Sequence, residues 1–353
     1  MLPYFILVFV PATVYILELL FRGIKRDKLC ISMFFVFFLI LLFFRSTEVG
    51  IDLQNYEYYY NTVSRLSYAE VLSYSEKSET LYFLLNKIVA DLGGNFRVIL
   101  IVAALVAILP IFYLYYKKTE NALLTIALFL CVAPFSMFFS GLRQTIAMGI
   151  VFLCFRFVEK KKIVLYLIGI FIAYFFHRSA IFCLPIYLLY HAKITKKWLY
   201  VLIPSMIGVF IFNKKIFSLL VVLFDSMYSG QIESTGAYSI IILLFLFTIY
   251  SFVFSKNNET NNEFIGLRNL LLASVVIQCF APLNSLVMRI NYYYLVFVPI
   301  LISQVLKNAD TKYNNIINIS TKVMIYFFIL YFFYKAYYGA DILQIFPYIS
   351  YWR

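Results

Sequence analysis

Apolar residues in this chain come in long unbroken runs, with little strand-like alternation or one-sided helical striping. The runs cover residues 2–21, 29–44, 96–116, 122–139, 145–158, 163–176, 180–190, 198–212, 237–254, 266–283, 290–306 and 319–338. A helix crosses the hydrocarbon core with about 20 apolar residues, so the pattern predicts about twelve transmembrane helices, several of them short. A helix that is apolar all round faces lipid or other helices on every side. Between the runs, Lys and Arg collect in alternate gaps: Arg22, Lys25, Arg26 and Lys28; Lys117 and Lys118; residues 160–162; Lys193, Lys196 and Lys197; Lys256; Lys307 and Lys312. Cationic loops stay on the cytoplasmic side, which places these gaps inside and both termini outside. Lys214 and Lys215 are the exception, in a longer outer segment, 213–236, where the charge rule has less force.

The same topology puts the longest segment without a convincing span, 45–95, entirely outside, between spans two and three. It carries Glu48, Asp52, Glu57, Glu70, Glu76, Glu79 and Asp91 interleaved with Tyr56, Tyr58, Tyr59, Tyr60, Tyr68, Tyr74 and Tyr82. Tyrosine faces cover sugar C–H surfaces while carboxylates accept from hydroxyls, so the mixture suits a hydroxyl-rich ligand. It equally suits an amphipathic segment anchored by Tyr at headgroup level. Residues 81–89 are apolar enough to lie in or re-enter the interface and too few to cross it.

Composition agrees with an all-α integral membrane protein folded as one polytopic domain over 1–353: 63% of residues are hydrophobic, 20% aromatic and 13% charged. The net charge of +13 is spread over short inner loops without a basic helix or stacking platform, which fits anionic lipid headgroups and argues against nucleic acid. The five cysteines stand singly, with no CxxC, and read as small core hydrophobes. No basic start precedes the first apolar run, so that run is expected to be retained as a span. No Gly-rich nucleotide loop, HExxH or metal-spaced His/Cys cluster occurs, so no metal site, nucleotide or other cofactor is expected, and ATP-driven transport by this chain alone is excluded.

Three more outer turns hold chemistry-bearing residues. Ser140, Gly141, Leu142, Arg143 and Gln144 form a hinge between two spans; an Arg beside hydrocarbon is costly unless it faces water, protein or an anion. Its planar fork matches phosphate oxygens, although snorkelling to headgroups is the plainer role. His177, Arg178 and Ser179 split the apolar stretch 163–190, and an imidazole exchanges protons near pH 6.5. A solvated turn would also account for His177, and His191 beside the inner lysines reads as a surface residue. The last turn carries Asn284, Ser285 and Arg289, followed by Asn291 and the tyrosines Tyr292, Tyr293 and Tyr294. Arg45, Arg143, Arg178 and Arg289 thus share one membrane face, suiting an anionic lipid-linked group such as a diphosphate or, alternatively, scattered lipid anchoring.

On these residues the chain resembles the EpsG-like branch of the Wzy-type polysaccharide polymerases. The resemblance rests on Arg45, Gly50, Asp52 and Tyr56; on Glu79 and Asn86; on Gly141, Leu142, Arg143, Gln144 and Ala147; and on His177 with Ser179. Weaker matches are Arg289 with Tyr293, and Phe346, Pro347 and Tyr348. Glu48 and Val49 stand before Gly50 where the pattern has smaller residues, and Arg178 replaces a neutral one.

The resemblance implies a GT-C-like polymerase of the bacterial cytoplasmic (inner) membrane that needs no cofactor or metal. Such an enzyme joins undecaprenyl-diphosphate-linked oligosaccharide repeat units, as in O-antigen or exopolysaccharide synthesis, with a flippase and a chain-length regulator as partners in the lipid membrane. His177 is then the first candidate base, with Asp52 and Glu79 in reserve. Arg143 and Arg289 bind the leaving diphosphate, Arg45 and Arg178 assist, Gln144 orients a phosphate or sugar oxygen, and Tyr56 and Tyr293 line the substrate site. An exporter of lipid-linked oligosaccharide, or a ligase-type glycan or acyl transferase, would also need outer arginines. Exporters commonly show related halves and mid-membrane polar groups, neither of which is evident here.

Overall fold

The computed structural model describes residues 1–17, 26–74, 79–224, 238–256 and 260–352. Helix makes up 79% of it, and no strand occurs among the described residues. In chain order the helices are α1 (Leu2–Leu17), α2 (Arg26–Phe44), α3 (Leu53–Val63), α4 (Tyr68–Tyr74), α5 (Thr80–Asp91), α6 (Phe96–Lys118), α7 (Ala122–Cys131), α8 (Met137–Ser140), α9 (Leu142–Glu159) and α10 (Ile163–Phe176). A 3₁₀ turn, Arg178–Cys183, leads to α11 (Pro185–His191), α12 (Leu199–Ile211), α13 (Asn213–Phe224), α14 (Tyr238–Val253), α15 (Asn262–Gln278), α16 (Ser285–Leu295), α17 (Val298–Asn308) and α18 (Asn314–Tyr338). Arg22, Lys25, Glu76, the end of the first expected span and the start of the run 237–254 lie outside the described residues.

Among the described residues, four helical stretches are long and apolar enough to span a membrane: Arg26–Phe44, Phe96–Lys118, Ser285–Asn308 and Thr311–Tyr338. A fifth results if Lys196–Ile211 and Asn213–Leu219, bent by 75°, are one broken span. Shorter apolar helices occupy other expected runs, among them Ala122–Cys131, Ile163–Phe176 and Tyr238–Val253. Two runs differ from their expected form. The run 122–139 is interrupted after Cys131 and resumes as α8 at Met137, because Pro134 lacks an N–H and disfavours helix in the residue before it. The run 180–190 divides into the 3₁₀ turn and α11, which opens on Pro185, whose fixed φ and missing donor suit a first helical position.

The chain forms two compact units, Met1–Leu184 with Val323–Arg353, and Pro185–Lys322. In the first, α2, α6, α9 and α10 pack side by side. Gly149 permits the closest approach: a Cβ there would stand 2.1 Å from the Val106 carbonyl oxygen of α6. An aromatic core of Phe34, Phe38, Phe129 and Phe135 fills the space beside α7. The segment 45–95 is largely helical: α3, α4 and α5 bury Leu53, Tyr56, Val63, Val71 and Tyr82 against Phe96, Ile99 and Leu142.

The chain end returns to this region. Ser46 N–H donates to the Ile349 carbonyl at 2.9 Å, Gly50 N–H to Gln344 at 3.0 Å and Ile51 N–H to Leu343 at 3.0 Å. Arg97 clamps the turn, donating to the Phe43 and Arg45 carbonyls at 2.6 and 2.8 Å while its guanidinium lies 3.8 Å from the Tyr351 ring centre.

In the second unit α15 is central and holds polar groups that would be costly unless paired. Asn269 Nδ2 donates to the Leu189 and Ala192 carbonyls at 2.9 and 2.7 Å, satisfying the C-terminal end of α11. Arg268 donates to the Ile194 carbonyl at 3.0 Å and lies 3.7 Å from the Phe252 ring centre. Ser274 Oγ donates to Asn291 Oδ1 at 2.8 Å, and Asn291 Nδ2 to Gln278 Oε1 at 2.7 Å.

Candidate functional site

Within the first unit, three separate turns meet at one carboxylate. Glu79 caps the start of α5, Arg143 lies in the first turn of α9, and His177 follows the last residue of α10. Glu79 Oε2 forms an ion pair with Arg143 Nη1, and Oε1 lies 2.5 Å from His177 Nδ1. The side chains are partly buried, with 12, 27 and 21% exposure for Glu79, Arg143 and His177, so the charges are neither bathed in bulk water nor sealed off.

Local backbone explains how each residue arrives. Glu79 adopts φ 64, a left-handed conformation that a Glu seldom takes and that costs of order 1–3 kcal/mol. Gly141 breaks the chain between α8 and α9, so that Arg143 stands at a helix start, where unpaired N–H groups add partial positive charge to its own. His177 is extended, at φ −159, and its N–H still donates to the Ala173 carbonyl at 2.9 Å, which ends α10 and turns the ring out of it.

The electrostatics follow. Burial pushes the Glu79 carboxyl up, but the His177 hydrogen bond and the charges of Arg143, His177 and Arg178 outweigh it and hold the group below the usual carboxylate value. Arg178 therefore belongs to the same charge cluster. The Arg143 guanidinium lies 5.4 Å from the Tyr56 ring centre. Burial raises the Tyr56 phenol above its ordinary value despite the opposing Arg143 charge, so the group remains an O–H donor at neutral pH. One turn earlier on α3, Asp52 Oδ2 accepts from Ser140 Oγ at 2.8 Å, tying α3 to the hinge that carries Arg143. Arg143 Nε is buried with no hydrogen-bond partner among the described residues. No group of three or more His, Cys, Asp or Glu able to hold a metal stands among the described residues.

The structure thus brings together Glu79, Arg143, His177 and Arg178, with Tyr56 beneath Arg143 and Asp52 beside Ser140. Gln144 is buried in the first turn of α9. Arg45 makes its contacts elsewhere: it is 1% exposed, donates to the Leu42 carbonyl at 2.7 Å and pairs its backbone with Ser350. Arg289 is exposed and Tyr293 buried on α16 of the second unit. Sequence reasoning treated Glu79 and His177 as competing bases and missed that they are partners. It also passed over Arg97, although an Arg one residue inside a span meets the criterion that singled out Arg143.

Apolar helices of spanning length together with a charged cluster at helix ends define a multi-pass membrane protein with a polar site of its own. Compared with known families, residues 28–350 match the EpsG family. The chain belongs to that family, whose members are Wzy-like polysaccharide polymerases. Among curated proteins and among solved structures, none matches the chain.

Proposed function

We propose that this chain joins undecaprenyl-diphosphate-linked oligosaccharide repeat units at the outer face of the bacterial cytoplasmic membrane. The observation that carries the reading is the single Glu79 carboxylate held between Arg143 and His177. With Nδ1 of His177 engaged by Glu79, Nε2 is left for a ligand, and the carboxylate stabilises the imidazolium that forms, as in other carboxylate–imidazole pairs. A terminal hydroxyl of the acceptor saccharide gives its proton to His177 Nε2 as its oxygen bonds to the donor's anomeric carbon. The bond from that carbon to phosphate breaks, and its electron pair leaves with the diphosphate. Arg143 and Arg178 neutralise that leaving group, with the start of α9 adding donors. Gln144 and Tyr56 orient oxygen atoms at the same place, Asp52 is the reserve base, and Arg289 and Tyr293 are assigned to the lipid-linked substrate. No step is routed through a metal.

A flippase would supply the lipid-linked units, and a chain-length regulator would act on the product. The test is purified protein in lipid vesicles supplied with the lipid-diphosphate-linked repeat unit. A ladder of lengthening products, lost in His177→Gln with unchanged membrane insertion, is expected. Flipping without a ladder would mean an exporter, and a single capped product a ligase; either result overturns the proposal.

A further inference from the structure

An aromatic path leads out of the charged cluster. From Tyr56, beneath Arg143, ring centres step 6.5 Å to Tyr59 and 5.5 Å to Tyr82. Both branches then reach Phe83, at 5.9 Å from Tyr59 and 5.8 Å from Tyr82. Tyr74 of α4 stands 5.6 Å from Phe83, edge to face, and Tyr58 stands 6.2 Å from Tyr59. The path begins buried and ends open: Phe83 is 7% exposed, whereas Tyr74 is 38% and Tyr58 66% exposed.

Two accounts fit exposed tyrosines near a membrane. Headgroup anchors spread along the interfacial plane, each ring inserting separately. Here the rings join one another: Tyr74 and Tyr59 both meet the buried Phe83 ring, at 5.6 and 5.9 Å, and Tyr58 meets Tyr59 at 6.2 Å. A cluster of phenol O–H groups beside aromatic faces has the inventory a sugar needs: apolar area for its C–H face and neutral donor–acceptors for its hydroxyls.

We propose that Tyr58, Tyr59 and Tyr74, backed by Phe83, form a subsite for neutral sugar residues adjoining the reacting hydroxyl. This rests on the polymerase reading above and names what the same site holds beyond the diphosphate. The subsite is continuous with the chemistry through Tyr56, whose ring the Arg143 guanidinium covers.

The test uses the lipid-free oligosaccharide released by mild acid from the repeat unit, with binding to detergent-solubilised protein followed by saturation-transfer NMR. Tyr58→Ala and Tyr74→Ala are expected to weaken binding on the order of fivefold each, the scale of one aromatic contact. Tyr58→Trp, which keeps an aromatic face, should retain most of it and guards against an unfolded alanine variant. In vesicles the alanine variants should raise KM with little change in kcat. Wild-type affinity in the double alanine variant, or a loss of thermal stability in bilayers with saccharide binding untouched, would overturn the subsite. His177→Gln separates the two claims: failure of the reaction reading leaves that variant polymerising, while failure of the subsite leaves Tyr58→Ala binding sugar normally.

Discussion

Replacing Glu79 by Gln changes one atom type and removes the charge on which the cluster converges. A Gln in this place accepts from one partner only, and its NH2 faces the other, which is also a donor. His177 then loses a charge-assisted hydrogen bond of 2.5 Å, and such a bond contributes about 1.5–3 kcal/mol net. Opposite charges about 4 Å apart attract by about 4 kcal/mol at an effective dielectric near 20, so the Arg143 pair is of similar or larger gross size. Partial exposure of all three side chains returns some of that energy through water. Assigning about 1.5–3 kcal/mol to the orientation and charge support of His177, kcat should fall by about 10- to 10²-fold. Arg143, freed from its counter-ion, binds diphosphate at least as well, so KM should stay level or drop.

General disruption of the fold gives no such split, because it lowers kcat and raises KM or removes protein from the membrane. The assay is initial-rate polymerisation in vesicles, with membrane-inserted protein quantified in parallel. A Glu79→Gln enzyme with wild-type kcat, or with unchanged kcat and a raised KM, would refute the carboxylate–imidazole pairing. Glu79→Gly is the companion variant: it relieves the left-handed backbone and removes the carboxylate, so it should be as slow as Glu79→Gln even if its thermal midpoint rises.

Arg143→Lys keeps the charge but loses the planar fork, and should cost about 10- to 10²-fold in kcat/KM with normal insertion. Gly50→Ala should destabilise by more than about 2 kcal/mol, read as a lower thermal midpoint, because Gly50 sits at φ 117 and a Cβ there would meet the Phe139 carbonyl oxygen at 2.2 Å. Asn269→Leu would leave the Leu189 and Ala192 carbonyls without their donor, at a cost of about 1–3 kcal/mol each, so thermal stability should fall. The Glu79 carboxyl is held below its ordinary value, so it contributes stability above about pH 4.3 that is lost as pH falls through its folded value. The acid limb of a thermal-midpoint profile should therefore be shallower in Glu79→Gln than in the native protein.

What could be read from the residues depended on range. Apolar runs report the local solvent of a helix, which is why α2, α6 and α18 stand close to their expected bounds. Two of the runs that contain proline were misjudged, since mean apolarity is blind to the lost donor at Pro134 and to the helix start at Pro185. The candidate site was legible as residue types: costly arginines, an isolated imidazole and carboxylates facing the same side. Their pairing was not, because Glu79, Arg143 and His177 lie on three different turns, and their meeting depends on how α5, α9 and α10 pack. Gly50 shows the same limit from the other side. Its sequence context marks a turn, but the reason only glycine fits, the Phe139 carbonyl oxygen standing 2.2 Å from where a Cβ would be, is a contact across a long stretch of chain. That contact and the Asp52–Ser140 hydrogen bond both join the start of α3 to the hinge before α9. Tyr56, one turn beyond Asp52, is thereby fixed beneath Arg143, so the placement of the arginine depends on the 45–95 segment as well as on its own helix.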